Sequence, residues 1–181
     1  MLFQRKTITL KNGKSAILRN PRVEDAKELL QCIIQACGET DNLARYPEEW
    51  NMTVEQEETW IQRINESSST LSILCQVDGV IAGSCEIRFL GNMKTAHRAT
   101  IAISLLQNFW GLGIGTAMFS ELIEAAKKHG TEILELEFVE GNQRAQKLYE
   151  RMGFKVISER PNMHKLKAGS YRKEIYLQKY L

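Results

Sequence analysis

The sequence predicts an α/β protein of the α+β type, with a central mixed and mostly antiparallel sheet flanked by helices. Segments of alternating apolar and polar residues occur at the start, middle and end of the chain, and two early segments have apolar residues at helical spacing. After the midpoint, a strand, a glycine-rich loop, a helix and another strand follow one another. No linker, repeat or low-complexity segment divides the 181 residues, so we expect a single domain over residues 1–181.

The first third of the chain predicts a hairpin and two helices. Polar and apolar residues alternate on both sides of Asn12-Gly13, which is typical of a hairpin turn. Apolar residues at intervals of three and four predict a helix over 23–37 that ends at Gly38. A second helix is predicted from Thr53, because Thr53 and Gln56 have the spacing of a capping box. The loop between the helices is suited to substrate contacts.

The rest of the chain alternates strands with two helices. Asp78-Gly79 joins two predicted strands, and "HRATIAISLL" is a third. A helix is predicted over 116–129, then the strand "EILELEFV", a short helix over 142–152, and the strands "FKVISER" and "SYRKEIYLQKYL". The strands at 100–105 and 134–139 form a crossover unit, so we expect them to lie near each other, with a ligand site beyond the carboxyl end of the first.

The stretch "QNFWGLGIGTAMF" places Gly111, Gly113 and Gly115 at alternate positions directly before a helix. The start of a helix presents unpaired N–H groups and the positive end of the helix dipole, so glycines there allow a phosphate to reach these donors. The loop therefore predicts a phosphate cradle. The alternative is a tight turn in which the glycines only provide positive φ angles.

Composition argues against several classes of function. There are 24 Lys and Arg residues against 22 Asp and Glu, and the basic residues do not interleave with aromatic ones, so we expect no nucleic-acid partner. The four cysteines have neither a CxxC motif nor His-paired spacing, so we expect no metal site and reduced thiols. The sequence has neither a signal peptide nor an apolar segment of bilayer length. We expect a soluble cytoplasmic protein without a membrane partner.

Three segments taken together resemble the GCN5-related N-acetyltransferase (GNAT) superfamily: "RATIAISLL", "WGLGIGTAM" and "EGNQRAQKLYERMGF". The loop pattern of the family is Gln or Arg, two residues, Gly, one residue, then Gly or Ala. This chain matches it at Gly113 and Gly115 but has Trp110 where the family often has Gln or Arg. The second motif matches at Asn142, Ala145, Leu148-Tyr149 and Gly153-Phe154. The resemblance covers roughly residues 15–180. It implies the GNAT fold and transfer of an acetyl group from acetyl-CoA to a primary amine of a small molecule or protein.

The resemblance also implies a role for each matched position. Backbone groups of Ile103, Ser104 and Leu105 would bind the pantetheine arm of acetyl-CoA. The pyrophosphate would lie against the loop and the first helical turn, at Trp110, Gly111, Leu112, Gly113, Ile114, Gly115 and Thr116. Asn142, followed by Ala145, would contact the arm or the thioester, and Tyr149 would be the general acid that protonates the leaving thiolate.

Structural alternatives exist for three of these residues. Asn142 is also a good N-cap for the short helix. Tyr149 lies on the apolar stripe of that helix, so it could be a core residue whose hydroxyl is satisfied elsewhere. Trp110 is better explained as a packing anchor than as a ligand.

The sequence leaves the general base open. Many members of the family have a Glu on the strand before the glycine loop, where this chain has Thr100. Glu86, on the adjacent strand, is a candidate base, and the alternative for it is a surface position beside Arg88. Further candidates are His97, Glu135 and Glu137. Glu39, in the loop between the first two helices, is predicted to recognise a cationic acceptor.

Two other functions are compatible with the same residues. The enzyme could transfer a larger acyl group, or the domain could bind acyl-CoA as a sensor or interaction module without catalysis, because a fold does not guarantee its usual reaction. The resemblance is also compatible with a homodimer.

Overall fold

The computed structural model describes residues 1–181 and contains one eight-stranded sheet. Its strands are β1 (Lys6–Thr9), β2 (Ser15–Arg19), β3 (Thr70–Val77), β4 (Val80–Phe89), β5 (Arg98–Leu105), β6 (Ile133–Val139), β7 (Lys155–Lys165) and β8 (Tyr171–Tyr180). They lie in the order β1-β2-β3-β4-β5-β6-β8-β7. All neighbouring strands are antiparallel except β5 and β6, which are parallel.

Four helices flank the sheet: α1 (Ala26–Gly38), α2 (Val54–Glu66), α3 (Ile114–His129) and α4 (Gln143–Arg151). Leu29 of α1 and Ile61 of α2 pack against Leu74 of β3, whereas Phe119 of α3 belongs to the core that contains the adjacent Ile73. Because consecutive strand residues point to opposite faces, α1 and α2 cover one face and α3 covers the other. None of the helices combines the length and the apolar character needed to cross a bilayer.

The parallel strands β5 and β6 separate along their length. They are paired only from Arg98 with Ile133 to Thr100 with Glu135. Residues 101–105 of β5 therefore have no partner on the β6 side. The helices that follow the two strands, α3 and α4, both begin at this opening. The split in the sheet thus places two helix starts beside an unpaired strand edge.

The predicted elements are present, with differences at their ends. α3 begins at Ile114 and not at Thr116, because Gly113 serves as its N-cap and the third glycine is already helical. Residues Val23–Asp25 form a short 3-10 turn before α1. The capping box of Thr53 with Gln56 is present: the Thr53 hydroxyl accepts a hydrogen bond from Gln56 N–H at 3.3 Å. The sequence therefore predicted the order and type of the main elements.

Candidate active site

The glycine-rich loop turns the chain from β5 into α3. Gly111 and Gly113 have φ angles of 79° and 91°, in the left-handed region that strains other residues. Gly115 lies in the first turn of α3, where a Cβ would be 3.0 Å from Cδ2 of Leu148 on α4. The first two glycines thus provide the turn, and the third allows α3 to approach α4. The turn is also compatible with a cradle, because the N–H groups of residues 114–116 have no partner within the helix.

A cleft of about 460 Å³ lies beside this loop, between α4 and the turn after β1. We call it the basic cleft, because its lining includes four cations and no acidic residue: Lys11, Arg144, Lys147 and Arg151. The positive end of the α3 dipole adds to their charge. Glycines without side chains, free N–H donors and four cations together fit the phosphate groups of CoA.

The four cations were not predicted from the sequence. Arg144, Lys147 and Arg151 follow one another at intervals of three and four, a spacing that places them on one face of α4 and could have indicated an anion site. Lys11 carried no such signal, because it reaches the cleft only through tertiary packing. Its backbone N–H donates a hydrogen bond to the carbonyl of Leu112 at 3.1 Å.

A narrow cavity of about 110 Å³ continues from the basic cleft along β5. Its lining includes the predicted residues Ile103, Ser104, Leu105, Trp110, Asn142, Ala145 and Tyr149. Leu105, Trp110 and Leu148 line both spaces, so the two are continuous. The structure therefore brings the predicted pantetheine, loop and α4 residues together around one channel.

Tyr149 lines the narrow cavity from α4. The side chain is 7% exposed and packs between Phe119 and Phe138, with ring centroids 5.4 and 5.7 Å away. Tyr149 is among the residues that line the narrow cavity, and its hydroxyl has no hydrogen-bond partner in the chain, unlike a core tyrosine whose hydroxyl is satisfied. Burial raises the pKa of Tyr149 to about 12, so the hydroxyl keeps its proton at neutral pH.

Asn142 is the N-cap of α4. Its side-chain oxygen accepts a hydrogen bond from the Ala145 N–H at 3.1 Å, while the residue also lines the narrow cavity. The side-chain amide group donates to no atom of the chain and is available to a ligand. The structural and the functional interpretation of Asn142 are therefore compatible.

A third space, of about 450 Å³, lies on the other side of β5, beneath α1 and α2. We call it the α1–α2 cavity. It is lined by Leu29, Ile33, Leu43, Arg45, Trp50, Met52, Glu57, Trp60, Ser72, Ser84, Cys85, Glu86, Ala102, Ile103 and Ser104. Leu43, Ile103 and Ser104 also line the narrow cavity, so the two spaces meet at the end of β5.

Glu86 lies on the floor of the α1–α2 cavity. It is paired across the sheet with Ser72 on β3 and with Ala102 on β5, so the three share one face. Its carboxyl forms no ion pair with Arg88, and burial raises its pKa despite the opposing charge of that arginine. The structure thus places Glu86 in a cavity rather than at an open surface position.

The other candidate bases lie outside the three spaces. Glu135 forms a salt bridge with Arg98 and accepts a hydrogen bond from Gln178 at 2.6 Å. Neither His97 nor Glu137 lines any of the three spaces. Of the candidates named from the sequence, Glu86 alone faces a cavity that meets the channel.

Glu39 also lies outside these spaces. Its carboxylate accepts hydrogen bonds from the Gln107 backbone N–H at 2.6 Å and from the Gln35 side chain at 2.8 Å. It therefore connects the end of α1 to the turn that follows β5. The contact of Glu39 with an acceptor stays a prediction.

Glu57 was not predicted as a site residue. It lies on α2, is 7% exposed and lines the α1–α2 cavity. A signal was present in the sequence, because Glu57 precedes Ile61 by four residues and Ile64 by seven and so falls on the apolar stripe of the helix. A carboxylate on a buried stripe indicates a polar function at that position.

Comparisons with known proteins agree with this geometry. The family model described as "Acetyltransferase (GNAT) family" matches residues 26–154. An uncharacterised N-acetyltransferase of Methanocaldococcus jannaschii is 28% identical over 144 residues, which cover 78% of this chain and 61% of that protein. The chain thus spans less than two thirds of the length of this relative.

Solved structures share the fold. An acetyltransferase of the GNAT family from Streptococcus pneumoniae has a TM-score of 0.85 at 23% identity, covering 92% of this chain and 99% of that one. The yncA protein of Salmonella typhimurium, solved with its cofactor acetyl-CoA, has a TM-score of 0.77 at 16% identity, covering 91% and 92%. The predicted fold and family are thereby confirmed. The chain belongs to the acetyltransferase (GNAT) family, the N-acetyltransferases that use acetyl-CoA as acetyl donor.

Proposed function

We propose that this protein acetylates a primary amine of a small molecule that enters the α1–α2 cavity, and that acetyl-CoA enters from the basic cleft. The observation that carries the proposal is that these two spaces approach β5 from opposite sides and are joined there through the narrow cavity, at Ile103 and Ser104. An amine and a thioester can therefore meet at the end of one strand. Positioning of this kind is a large part of what such a reaction requires.

The binding roles follow from the lining of the channel. Residues 110–116 and the cations of the basic cleft would hold the phosphates, and the unpaired edge of β5 at residues 103–105 would hold the pantetheine arm. The amide of Asn142 would contact the arm near the thioester. Bound acetyl-CoA supplies a thioester carbon that an amine can attack and a thiolate that can leave.

Glu86 is the proposed general base. A lysine-like amine is protonated at pH 7, and reaching its neutral form costs about 4.6 kcal/mol, whereas an α-amine costs about 1 kcal/mol. Burial raises the pKa of Glu86, which makes its carboxylate a stronger base than an exposed glutamate. Its position one strand away from β5 supports a role in removing the amine proton.

Tyr149 is proposed to act on the leaving sulfur. A simple thiol has a pKa of about 8.5, well below the value of about 12 for Tyr149. The hydroxyl therefore stabilises the developing thiolate by donating a hydrogen bond, and the proton that finally neutralises the sulfur comes from the nitrogen that has been acetylated. This differs from the full proton transfer that the family resemblance implied.

The dimensions of the site support a small acceptor. The α1–α2 cavity, at about 450 Å³, has the size of a small-molecule site. The acyl group is proposed to be acetyl, and a larger acyl group remains the competing donor. A protein amine remains the competing acceptor. Three expectations from the sequence stay predictions: that residues 1–181 form one catalytic domain, that the protein is a homodimer, and that it is cytoplasmic.

Isotope-labelled acetyl-CoA tests the proposal. The protein is incubated with a protein-free metabolite extract and, separately, with a protein extract of the source organism, and the label is followed by mass spectrometry. We expect label on small amines, and labelling about 100-fold slower when Tyr149→Phe replaces the wild type at the same concentration. Label on proteins alone would overturn the small-molecule assignment. Binding of acetyl-CoA without labelling of either extract would favour a sensor.

A further inference from the structure

The α1–α2 cavity contains a carboxylate that no other part of the chain neutralises. Glu57 is more than nine-tenths buried, lines the cavity, and forms neither a hydrogen bond nor a salt bridge through its side chain. Its carboxylate oxygens open onto the cavity, and burial raises the pKa of Glu57, so ionising this carboxylate without a partner is costly and the group points to a cationic ligand that supplies the partner. Nothing in the proposed acetyl transfer uses Glu57.

Glu57 and Glu86 lie at different distances from β5, the strand along which acetyl-CoA is proposed to bind. Glu86 is on β4, next to β5, whereas α2 packs over β3, which is two strands away from β5. Neighbouring strands are about 4.8 Å apart. The two carboxyls thus form a near and a far acidic position along one cavity.

The other residues that line the cavity favour a positively charged ligand. Arg45 is the only cation among the lining residues, and it is exposed and lies over the Trp50 ring at 5.0 Å, with no ion pair to either carboxyl. Trp60, three residues after Glu57 on α2, adds an aromatic face, which also attracts cations. A ligand with one amine would provide a counter-charge for one carboxylate and leave the other without one.

We propose that the acceptor is a linear α,ω-diamine, whose far ammonium binds Glu57 while its near amine is acetylated beside Glu86. This inference rests on the proposed function. In the transfer, Glu86 takes one proton from the near ammonium, and the neutral nitrogen attacks the thioester carbon. The C–N bond forms, the C–S bond breaks, and the nitrogen loses a second proton to the thiolate. The products are the N-acetyl diamine, CoA thiol and a proton that Glu86 returns to solvent.

Calorimetric titration of the CoA-saturated protein tests the inference without requiring turnover. A series of α,ω-diamines of increasing length is compared with n-alkylamines of the same lengths, on wild type, Glu57→Gln and Glu58→Gln. The last variant is a matched control, since Glu58 is the next residue of α2 and does not line the cavity. Release of CoA from acetyl-CoA is then measured with the same amines.

We expect the best diamine to bind at least about 10-fold more tightly than its matched monoamine, because a charge-assisted contact to Glu57 is added. Glu57→Gln should abolish this preference, and Glu58→Gln should keep it. Equal binding of diamine and monoamine, or a preference that survives in Glu57→Gln, would overturn the inference. Tight, Glu57-dependent diamine binding without CoA release would instead contradict the proposed function and leave the far ammonium site standing. Acetylation of monoamines with no advantage for diamines would overturn the diamine inference and leave the proposed function standing.

Discussion

The indole N–H of Trp110 donates a hydrogen bond to the backbone carbonyl of Leu105 at 2.8 Å. Leu105 ends β5 and Trp110 opens the glycine-rich loop, so this bond connects two segments of the proposed acetyl-CoA channel. The guanidinium of Arg144 lies 4.8 Å from the centre of the same ring and connects α4 to the loop. Trp110 thus connects β5, the glycine-rich loop and α4, which together surround the channel.

Trp110→Phe should weaken acetyl-CoA binding several-fold, because the variant keeps an aromatic ring but loses the N–H donor to Leu105. The free energy of unfolding should fall by about 1 kcal/mol. Calorimetry and urea unfolding measure the two quantities. Trp60→Phe is the control, since the Trp60 indole N–H makes no hydrogen bond in the chain. Unchanged affinity in Trp110→Phe would mean that the loop holds its shape without this bond.

Gly113→Ala and Gly130→Ala separate backbone strain from cofactor binding. The two glycines cap opposite ends of α3, have φ angles of 91° and 80°, and leave room for a Cβ. Each variant should lose about 1–2 kcal/mol of stability, because an L-residue is strained in this conformation. Only Gly113→Ala should also raise the dissociation constant of acetyl-CoA. A similar rise in Gly130→Ala would show that the loss of affinity is a general effect of destabilising α3.

Lys147→Ala should weaken acetyl-CoA binding roughly 2- to 5-fold, as expected for one exposed charge pair with a phosphate. Affinity of the wild type should also fall with added salt. Lys128→Ala, near the far end of α3, removes the same charge outside the basic cleft and should leave binding unchanged. If both variants bind acetyl-CoA like wild type, the phosphates do not lie against α4.

Tyr149→Phe should reduce kcat about 100-fold while changing acetyl-CoA affinity little, because the hydroxyl is proposed to act on the developing thiolate. Stability should be nearly unchanged, since the hydroxyl has no partner in the chain. Steady-state kinetics and thermal unfolding are the measurements, with the exposed Tyr180→Phe as control. A variant that turns over like wild type would make Tyr149 a structural residue.

The two carboxyls of the α1–α2 cavity should make stability depend on pH. Burial raises the pKa of Glu57 and of Glu86 above the ordinary value of 4.5. The folded protein then binds these protons more tightly than the unfolded chain, so each carboxylate destabilises the fold at neutral pH, and the effect disappears as pH falls towards 4.5.

Glu57→Gln and Glu86→Gln should therefore raise Tm at pH 7 relative to wild type, and the difference should vanish below about pH 4. Thermal unfolding across this range checks the prediction, with Glu58→Gln expected to show no such trend. A lower Tm at pH 7 in either cavity variant would indicate that the carboxylate has a stabilising partner within the fold.

The main secondary-structure elements could be predicted because their signals are local. The turns at Asn12-Gly13 and Asp78-Gly79, the capping box at Thr53 and the glycines before and after α3 each specify an element within a few residues. The predicted start of α3 was two residues too late. Glycines at alternate positions are typical of a loop, and the sequence pattern does not show that Gly113 is left-handed and caps the helix.

The site was predictable only where a motif marks it. The channel residues on β5, the loop and α4 came from the three segments that resemble the family, whereas Lys11 enters the basic cleft through the packing of a distant hairpin. Glu57 lies on the apolar stripe of α2, where a carboxylate is a signal of a polar function, but only the structure shows the cavity beside it. Glu39 was chosen for its loop position, and only the structure reveals its hydrogen bonds to Gln35 and Gln107.

Titration of acetyl-CoA into the ¹⁵N-labelled protein, followed by the backbone amide resonances, tests the location of the acetyl-CoA channel most directly. We expect the largest shifts at residues 103–105 and 113–116 and in α4, with small shifts in α2. Binding that shifts resonances elsewhere and leaves the amides of the α3 start unchanged would contradict this location of the channel.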